Sequence, residues 1–206
     1  MKNTAGCIPN YFSLEELDKL KKIFYSLPDK LNPEQERVYT NGIDNQHPLY
    51  PLIERLIQQR LAEKFNHNFK ITVAMLLKES TPWLIHTDYV KGDARPDMAF
   101  LIPLSITGPE NALTHTVMFK ESCETNFHKD FIANNQPLAV NASHLVDGLC
   151  SHETAEKLSY VSLLAAFEWH VGDVLYWDRA LLHCSDNFPA VGITEKQAIV
   201  VFTHLV

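Results

Sequence analysis

Apolar positions follow a helical period in the first third of the chain and a strand period afterwards. Leu14, Leu17, Leu20 and Phe24 line one helical face behind Ser13 and Glu16, a capping-box pair, and the run stops before Pro28. A second helical pattern (Leu52, Ile53, Leu56, Ile57, Leu61) opens at Pro51, a favoured first-turn residue, and reaches Phe65. Residues 33–45 between the two read as irregular, with a short strand at 38–40. From Phe69 the period changes: Phe69, Ile71, Val73, Met75 and Leu77 alternate, which predicts a strand with these five on one face. Further strands are predicted at 84–86, 99–106, 114–119, 162–167, 174–177, 181–184 and 198–203. Turn signals at Lys91-Gly92-Asp93, Gly108-Pro109 and Gly172-Asp173 separate them. Helices followed by about eight short strands predict an α+β protein built on a sandwich or barrel. Residues 121–158 break the rhythm and read as a polar insertion with one helical turn at 153–158.

Length and composition narrow the function classes. A chain of 206 residues fits one domain, with 1–68 as helical support and 69–206 as the strand core. The 18 Lys and Arg are outnumbered by 25 Asp and Glu, giving a net charge of −7 with no basic run, so neither nucleic acid nor an anionic membrane surface is an expected partner. Four cysteines, Cys7, Cys123, Cys150 and Cys184, form no CxxC pair, which argues against a zinc knuckle or a dithiol redox centre. The N-terminal residues lack the apolar core of a signal peptide, and no apolar stretch approaches the ~20 residues of a membrane span. A reduced, cytoplasmic protein is the expectation.

The histidines carry the chemistry. A His-x-Asp pair on a strand puts both side chains on one face, where they can share a metal with a third ligand. Two such pairs occur, His86-Thr87-Asp88 and His128-Lys129-Asp130, and with 10 histidines in the chain one is easily accidental. The first ends the apolar run Pro82-Trp83-Leu84-Ile85, whereas the second sits in the polar insertion. Downstream, His183 lies among apolar neighbours in a predicted strand, and Lys196, the only Lys or Arg after Arg179, opens another.

In this order the residues resemble the Fe(II)/2-oxoglutarate-dependent oxygenases, whose pattern is a His-x-Asp at a strand end, a distal His on a late strand, and an Arg or Lys opening the next. The resemblance covers roughly residues 69–206 and implies a double-stranded β-helix (jelly-roll) core. It implies His86, Asp88 and His183 as metal ligands and catalytic centre, and Lys196 as the cation for the far carboxylate of 2-oxoglutarate. Thr116 is a further candidate to hydrogen-bond a 2-oxoglutarate carboxylate. Two imidazoles and one carboxylate leave open positions on the metal, the arrangement associated with non-haem Fe(II) oxygenases. Fe(II) and 2-oxoglutarate are thus the implied cofactors, with oxidative decarboxylation to succinate and CO2 driving substrate oxidation. Related halogenases lack the carboxylate, so Asp88 implies a hydroxylase or desaturating oxygenase.

His183 lies 95 residues after Asp88, longer than in compact members, and the 121–158 insertion accounts for the excess. The spacing from His128 is more usual and keeps His128/Asp130 open as a rival pair. The insertion is expected to cover the metal mouth and help choose the substrate. Trp177, Arg179, Tyr89 and Arg95 flank the motifs and are candidates to face substrate. Cys184 reads as a core thiol, and Asp186 and Asn187 as residues behind the ligands or in a turn. The nucleic-acid demethylases of the superfamily carry a second Arg six residues after the first; here that position is Phe202. An amino acid, a small metabolite or a peptide side chain remains as substrate, and the prolyl-hydroxylase-like branch, some of whose members use Lys, is the nearest analogue. Two other classes stay open: a cupin-like metal enzyme that does not use 2-oxoglutarate, and a jelly-roll binding module without catalysis. A cupin has no special need for Lys196.

Overall fold

Which face each strand residue occupies decides the architecture. The computed structural model describes residues 4–32, 37–40, 42–88, 98–124, 127–138 and 148–206. The expected turn at 91–93 and the candidates Tyr89 and Arg95 lie outside the described residues. Seven strands, β1 (Ala5–Ile8), β2 (Asp29–Asn32), β3 (Arg37–Thr40), β4 (Phe69–Glu79), β5 (Met98–Thr107), β8 (Val174–Asp178) and β10 (Glu195–Leu205), form one sheet in the order β1-β8-β5-β10-β4-β3-β2. Three more, β6 (His115–Ser122), β7 (Leu163–Glu168) and β9 (Leu181–Ser185), form a second sheet in the order β7-β6-β9. Neighbouring strands pair antiparallel in both.

The large sheet is buried on both faces, and its alternation is read twice. Met98, Phe100, Ile102 and Leu104 of β5, with Ile199 and Val201 of β10, pack against the helices. Ala99 and Leu101, with Ala198 and Val200, point the other way and meet Met118 and Leu181 of the small sheet. The helical layer matches the pattern of the sequence. In α1 (Leu14–Tyr25), the Ser13 side chain accepts from the Glu16 N–H and the Glu16 carboxylate accepts from the Ser13 N–H; Leu17, Leu20 and Phe24 are buried. The second helix runs as α2 (Tyr50–Ile53), a π-helical turn (Glu54–Gln58) and α3 (Gln59–Phe65), and buries Ile53, Ile57 and Leu61. Burying each such side chain contributes about 1.5–3 kcal/mol.

Two features depart from the sequence pattern. Strands β1 and β2 fall in the segment expected to be helical or irregular; β1 closes the sheet edge by pairing with β8. The other departure is in β4, where the single face expected for Phe69 to Leu77 is split. The β10 register shifts between Phe202 and Thr203, opposite Val73 and Ile71. Phe69 and Ile71 pack toward the helices, but beyond the shift Ala74 and Leu76 take that side. Met75, Leu77 and Glu79 are thereby turned toward the space between the sheets. A bulge adds one residue to one strand and so reverses the facing of everything after it.

The described parts of 121–158 form a further layer behind the small sheet. Phe127, Cys150 and Leu158 are buried there with Ile85, Val117, Phe119 and Leu182.

Gly172, at the turn into β8, has φ +97, and a Cβ there would lie 2.8 Å from the Phe12 carbonyl oxygen. The same turn is tied to the start of α1 by the Phe12 N–H donating to the Gly172 carbonyl at 2.9 Å. Gly172→Ala is expected to lower stability by about 1–3 kcal/mol in urea unfolding, the cost of a strained left-handed backbone.

Candidate metal centre

After β4 the chain crosses to the open edge of the small sheet and runs antiparallel beside β9. His86 and His183 exchange both backbone hydrogen bonds at 3.0 Å, the Asp88 N–H donates to the Arg179 carbonyl at 3.0 Å, and the Ser185 N–H donates to Trp83 at 3.2 Å. The predicted strand at 84–86 is thus a single bridge rather than a strand, but it sets two histidines from distant parts of the chain side by side.

Their side chains converge with that of Asp88. His86 Nε2 lies 3.9 Å from one Asp88 oxygen and His183 Nε2 3.4 Å from the other. Among the described residues these three form the one group of His, Cys, Asp or Glu with ligand atoms all within 4.8 Å of one another. Each imidazole is oriented by its other nitrogen: His86 Nδ1 donates to the Leu84 carbonyl at 2.7 Å and His183 Nδ1 to the Leu181 carbonyl at 3.0 Å. A carbonyl only accepts, so each Nδ1 carries a proton, and in the neutral ring each Nε2 then presents its lone pair toward the cluster. Two oriented neutral imidazoles and a carboxylate on one side of a point are a donor set that fits a divalent transition metal.

Asp88 is held from behind. Trp177 Nε1 donates to its Oδ2 at 2.9 Å, and Arg179 donates to its backbone carbonyl through Nε at 3.1 Å and Nη2 at 2.7 Å. Trp177 also lines the pocket, whereas Arg179 is buried with its guanidinium over Phe202 and does not line the pocket, contrary to its expected role toward substrate. Asp186 accepts from the Thr114 hydroxyl and the His115 N–H, both at 2.7 Å, and pairs with His115 Nδ1 at 3.0 Å. Asn187 donates to Ser151 at 2.8 Å, so both residues brace the surrounding loops and not the ligands. Cys184 is a core thiol, 3.8 Å from Cys150 Sγ, and burial pushes its pKa well up.

A cavity of about 300 Å³ opens on the three residues. Its walls are mostly apolar, with Met75, Leu77, Leu101, Val200, Phe202 and three tryptophans. Polar groups gather at Glu79, Thr116 and Ser185. Thr116 accepts from Trp169 Nε1 at 2.9 Å. Lys196 adjoins this end: it is fully buried, with Nζ 4.1 Å from the Trp169 ring centroid, 4.6 Å from that of Phe188 and 3.6 Å from Glu79 Oε2. An ordinary solvent-exposed strand-end lysine is excluded.

None of the described residues of 121–158 lines the cavity; they clamp the metal-side loop from behind. Glu153 accepts from the Ile85 N–H at 2.6 Å, and His152 Nε2 donates to the Trp83 carbonyl at 3.2 Å. Burial lowers the His152 pKa from its ordinary 6.5, against a smaller upward pull from the Trp83 carbonyl. The rival pair His128/Asp130 falls in the helical turn Phe127–Phe131. Glu79, Trp169, His152 and Glu153 were not singled out from the sequence. The only trace of Glu79 there is an acid closing the apolar alternation of β4.

No protein-family model and no curated protein sequence matches the chain. Solved structures do match in fold. The non-heme alpha-ketoglutarate-dependent epimerase SnoN of nogalamycin biosynthesis aligns with a TM-score of 0.63 at 8% identity, over 98% of this chain and 78% of that one. HygX from Streptomyces hygroscopicus, with nickel, 2-oxoglutarate and hygromycin B bound, aligns with 0.55 at 16% identity, over 98% and 82%. A prolyl-4-hydroxylase from Pseudomonas putida aligns with 0.53 at 8% identity, over 98% and 93%. The fold is that of the 2-oxoglutarate oxygenases, an α+β double-stranded β-helix with supporting helices.

Two outcomes follow from the geometry. Metal stoichiometry should fall from one to none in His183→Ala and His86→Ala and stay at one in His128→Ala. Trp177→Phe should weaken metal binding about 10- to 100-fold, as loss of a group orienting a ligand does. Because His152 is held neutral in the folded protein and its pKa is lowered, its contribution to stability is present above the ordinary value of 6.5 and is lost as pH falls below it. Urea unfolding at pH 7 and pH 5 should show this loss, and His152→Gln should reduce it.

Proposed function

We propose that the protein is a non-haem Fe(II)/2-oxoglutarate-dependent oxygenase that hydroxylates a small molecule, an amino acid or a peptide side chain. The observation that carries the reading is the convergence of His86 Nε2, Asp88 and His183 Nε2, with both Nδ1 protons committed to backbone carbonyls, at the mouth of an apolar cavity. The match in fold to 2-oxoglutarate-dependent enzymes supports it. Bound there, Fe(II) and 2-oxoglutarate would supply oxidative decarboxylation to succinate and CO2 together with oxidation of a substrate C–H bond.

The chain's own residues divide the work. His86, Asp88 and His183 bind the metal, and Trp177 holds the Asp88 carboxylate in place by donating to it. Lys196 receives the far carboxylate of 2-oxoglutarate, since its ammonium is fully buried and Nζ has no hydrogen-bond partner among the described residues. Thr116 and Ser185 line the same polar end and offer hydroxyls. The apolar walls exclude water, which strengthens each charge inside. A small-molecule substrate is supported by HygX, whose structure holds hygromycin B. Among the described residues no helix is long and apolar enough to cross a membrane.

Substrate-stimulated succinate formation, screened over amino acids, peptides and small metabolites, identifies the substrate. Lys196→Ala should keep its metal but bind 2-oxoglutarate about 10- to 100-fold more weakly, each 1.4 kcal/mol of lost charge-assisted bonding being a factor of ten. Anaerobic titration of metal-loaded protein measures it. Equal affinities would favour a cupin-like enzyme that does not use 2-oxoglutarate.

A further inference from the structure

Lys196 is not alone at the polar end of the cavity. Its direct cross-strand neighbour is Glu79, the last residue of β4, paired with Lys196 in the register of the large sheet. Glu79 is 3% exposed, lines the cavity and accepts from the Ser185 hydroxyl at 3.3 Å. Its Oε2 lies 3.6 Å from Lys196 Nζ, close enough to compensate the charge but beyond hydrogen-bond reach. The ammonium is therefore electrically balanced while Nζ makes no hydrogen bond among the described residues.

That combination has a consequence for any anion brought to Lys196. With Glu79 ionised, the pair is neutral, and an added carboxylate leaves one uncompensated negative charge in an apolar pocket, which is costly. An anion touching Lys196 is attracted by the lysine and repelled by Glu79, whose Oε2 lies 3.6 Å from the same Nζ, so the second effect opposes the first. A 2-oxo acid with an uncharged tail meets neither.

We propose that Glu79 is a specificity-determining residue: an internal counter-ion that occupies Lys196 and competes with the tail carboxylate of the cosubstrate, so that it sets how strongly the pocket prefers 2-oxoglutarate over a 2-oxo acid with an uncharged tail. The proposal rests on the oxygenase reading, which supplies the 2-oxo acid. Glu79→Gln keeps the shape of the side chain and a carbonyl for Ser185 but removes the competing charge. The lysine is then free to pair with the ligand.

The test is anaerobic calorimetric titration of 2-oxoglutarate and 2-oxovalerate, which has a methyl group in place of the tail carboxylate, into Fe(II)-loaded wild type and Glu79→Gln. The wild type should bind the two acids within tenfold of each other. The variant should bind 2-oxoglutarate at least tenfold more tightly than the wild type does, with 2-oxovalerate unchanged within threefold. If the variant binds 2-oxoglutarate no more tightly than the wild type, Glu79 supports Lys196 instead of competing with its ligand, and the proposal is overturned. A wild-type preference for 2-oxoglutarate above tenfold overturns it too, and needs no variant to fold. Metal-loaded proteins that bind neither acid would overturn the oxygenase reading itself, an outcome distinct from the other two.

Discussion

The paired backbone hydrogen bonds between His86 and His183 are the constraint on which the rest of the centre depends. They fix two main-chain segments that are far apart in sequence, and so fix where both imidazoles start. The carbonyls of Leu84 and Leu181 then set the two ring orientations, and Asp88 follows because its own N–H is tied to Arg179 on the turn before β9. A site assembled on paired backbone needs little rearrangement to receive a metal, which is what makes its geometry reproducible. The layer behind the small sheet serves this bridge. Ile85, next to His86, is buried against the packed segment of Cys150 and Leu158, while Glu153 satisfies its N–H.

The same layering governs the charged end of the cavity. Lys196 shares the facing of Ala198 and Val200, so β10 delivers a lysine between the two sheets, where it is fully buried. Its ammonium sits against the rings of Trp169 and Phe188, and Trp169 in turn donates to Thr116. A cation in such surroundings is stabilised by ring faces and a nearby carboxylate in place of water. The bulge at Thr72, between Ile71 and Val73, is what turns Glu79 to the same side, so one register shift sets a carboxylate beside the buried lysine.

Much of this was legible in the sequence because local signals agreed with the fold. The capping box at Ser13, the helical spacing from Pro51 and the strands around His183 appear where the pattern predicts them. The order His86, Asp88, His183, Lys196 pointed to residues that the fold brings to one cavity and its polar end. What the sequence hid were features without local periodicity. A bulge reverses facing without changing composition, so the β4 pattern looked uniform. The 148–158 segment read as part of a polar insertion because its buried residues, Cys150, Glu153 and Leu158, are spread over turns and one short helix, Ala155–Leu158, which falls where a helical turn was expected. Strand β1 is too short to alternate visibly and is specified by its pairing with β8.

The most direct measurement is an anomalous difference map at the iron absorption edge from crystals grown anaerobically with Fe(II) and 2-oxoglutarate. One peak is expected within about 2 Å of His86 Nε2, His183 Nε2 and an Asp88 oxygen, typical of imidazole and carboxylate ligation. The 2-oxoglutarate tail is expected to be directed to Lys196. A peak at His128 and Asp130, or no ordered metal at the three residues, would contradict this assignment.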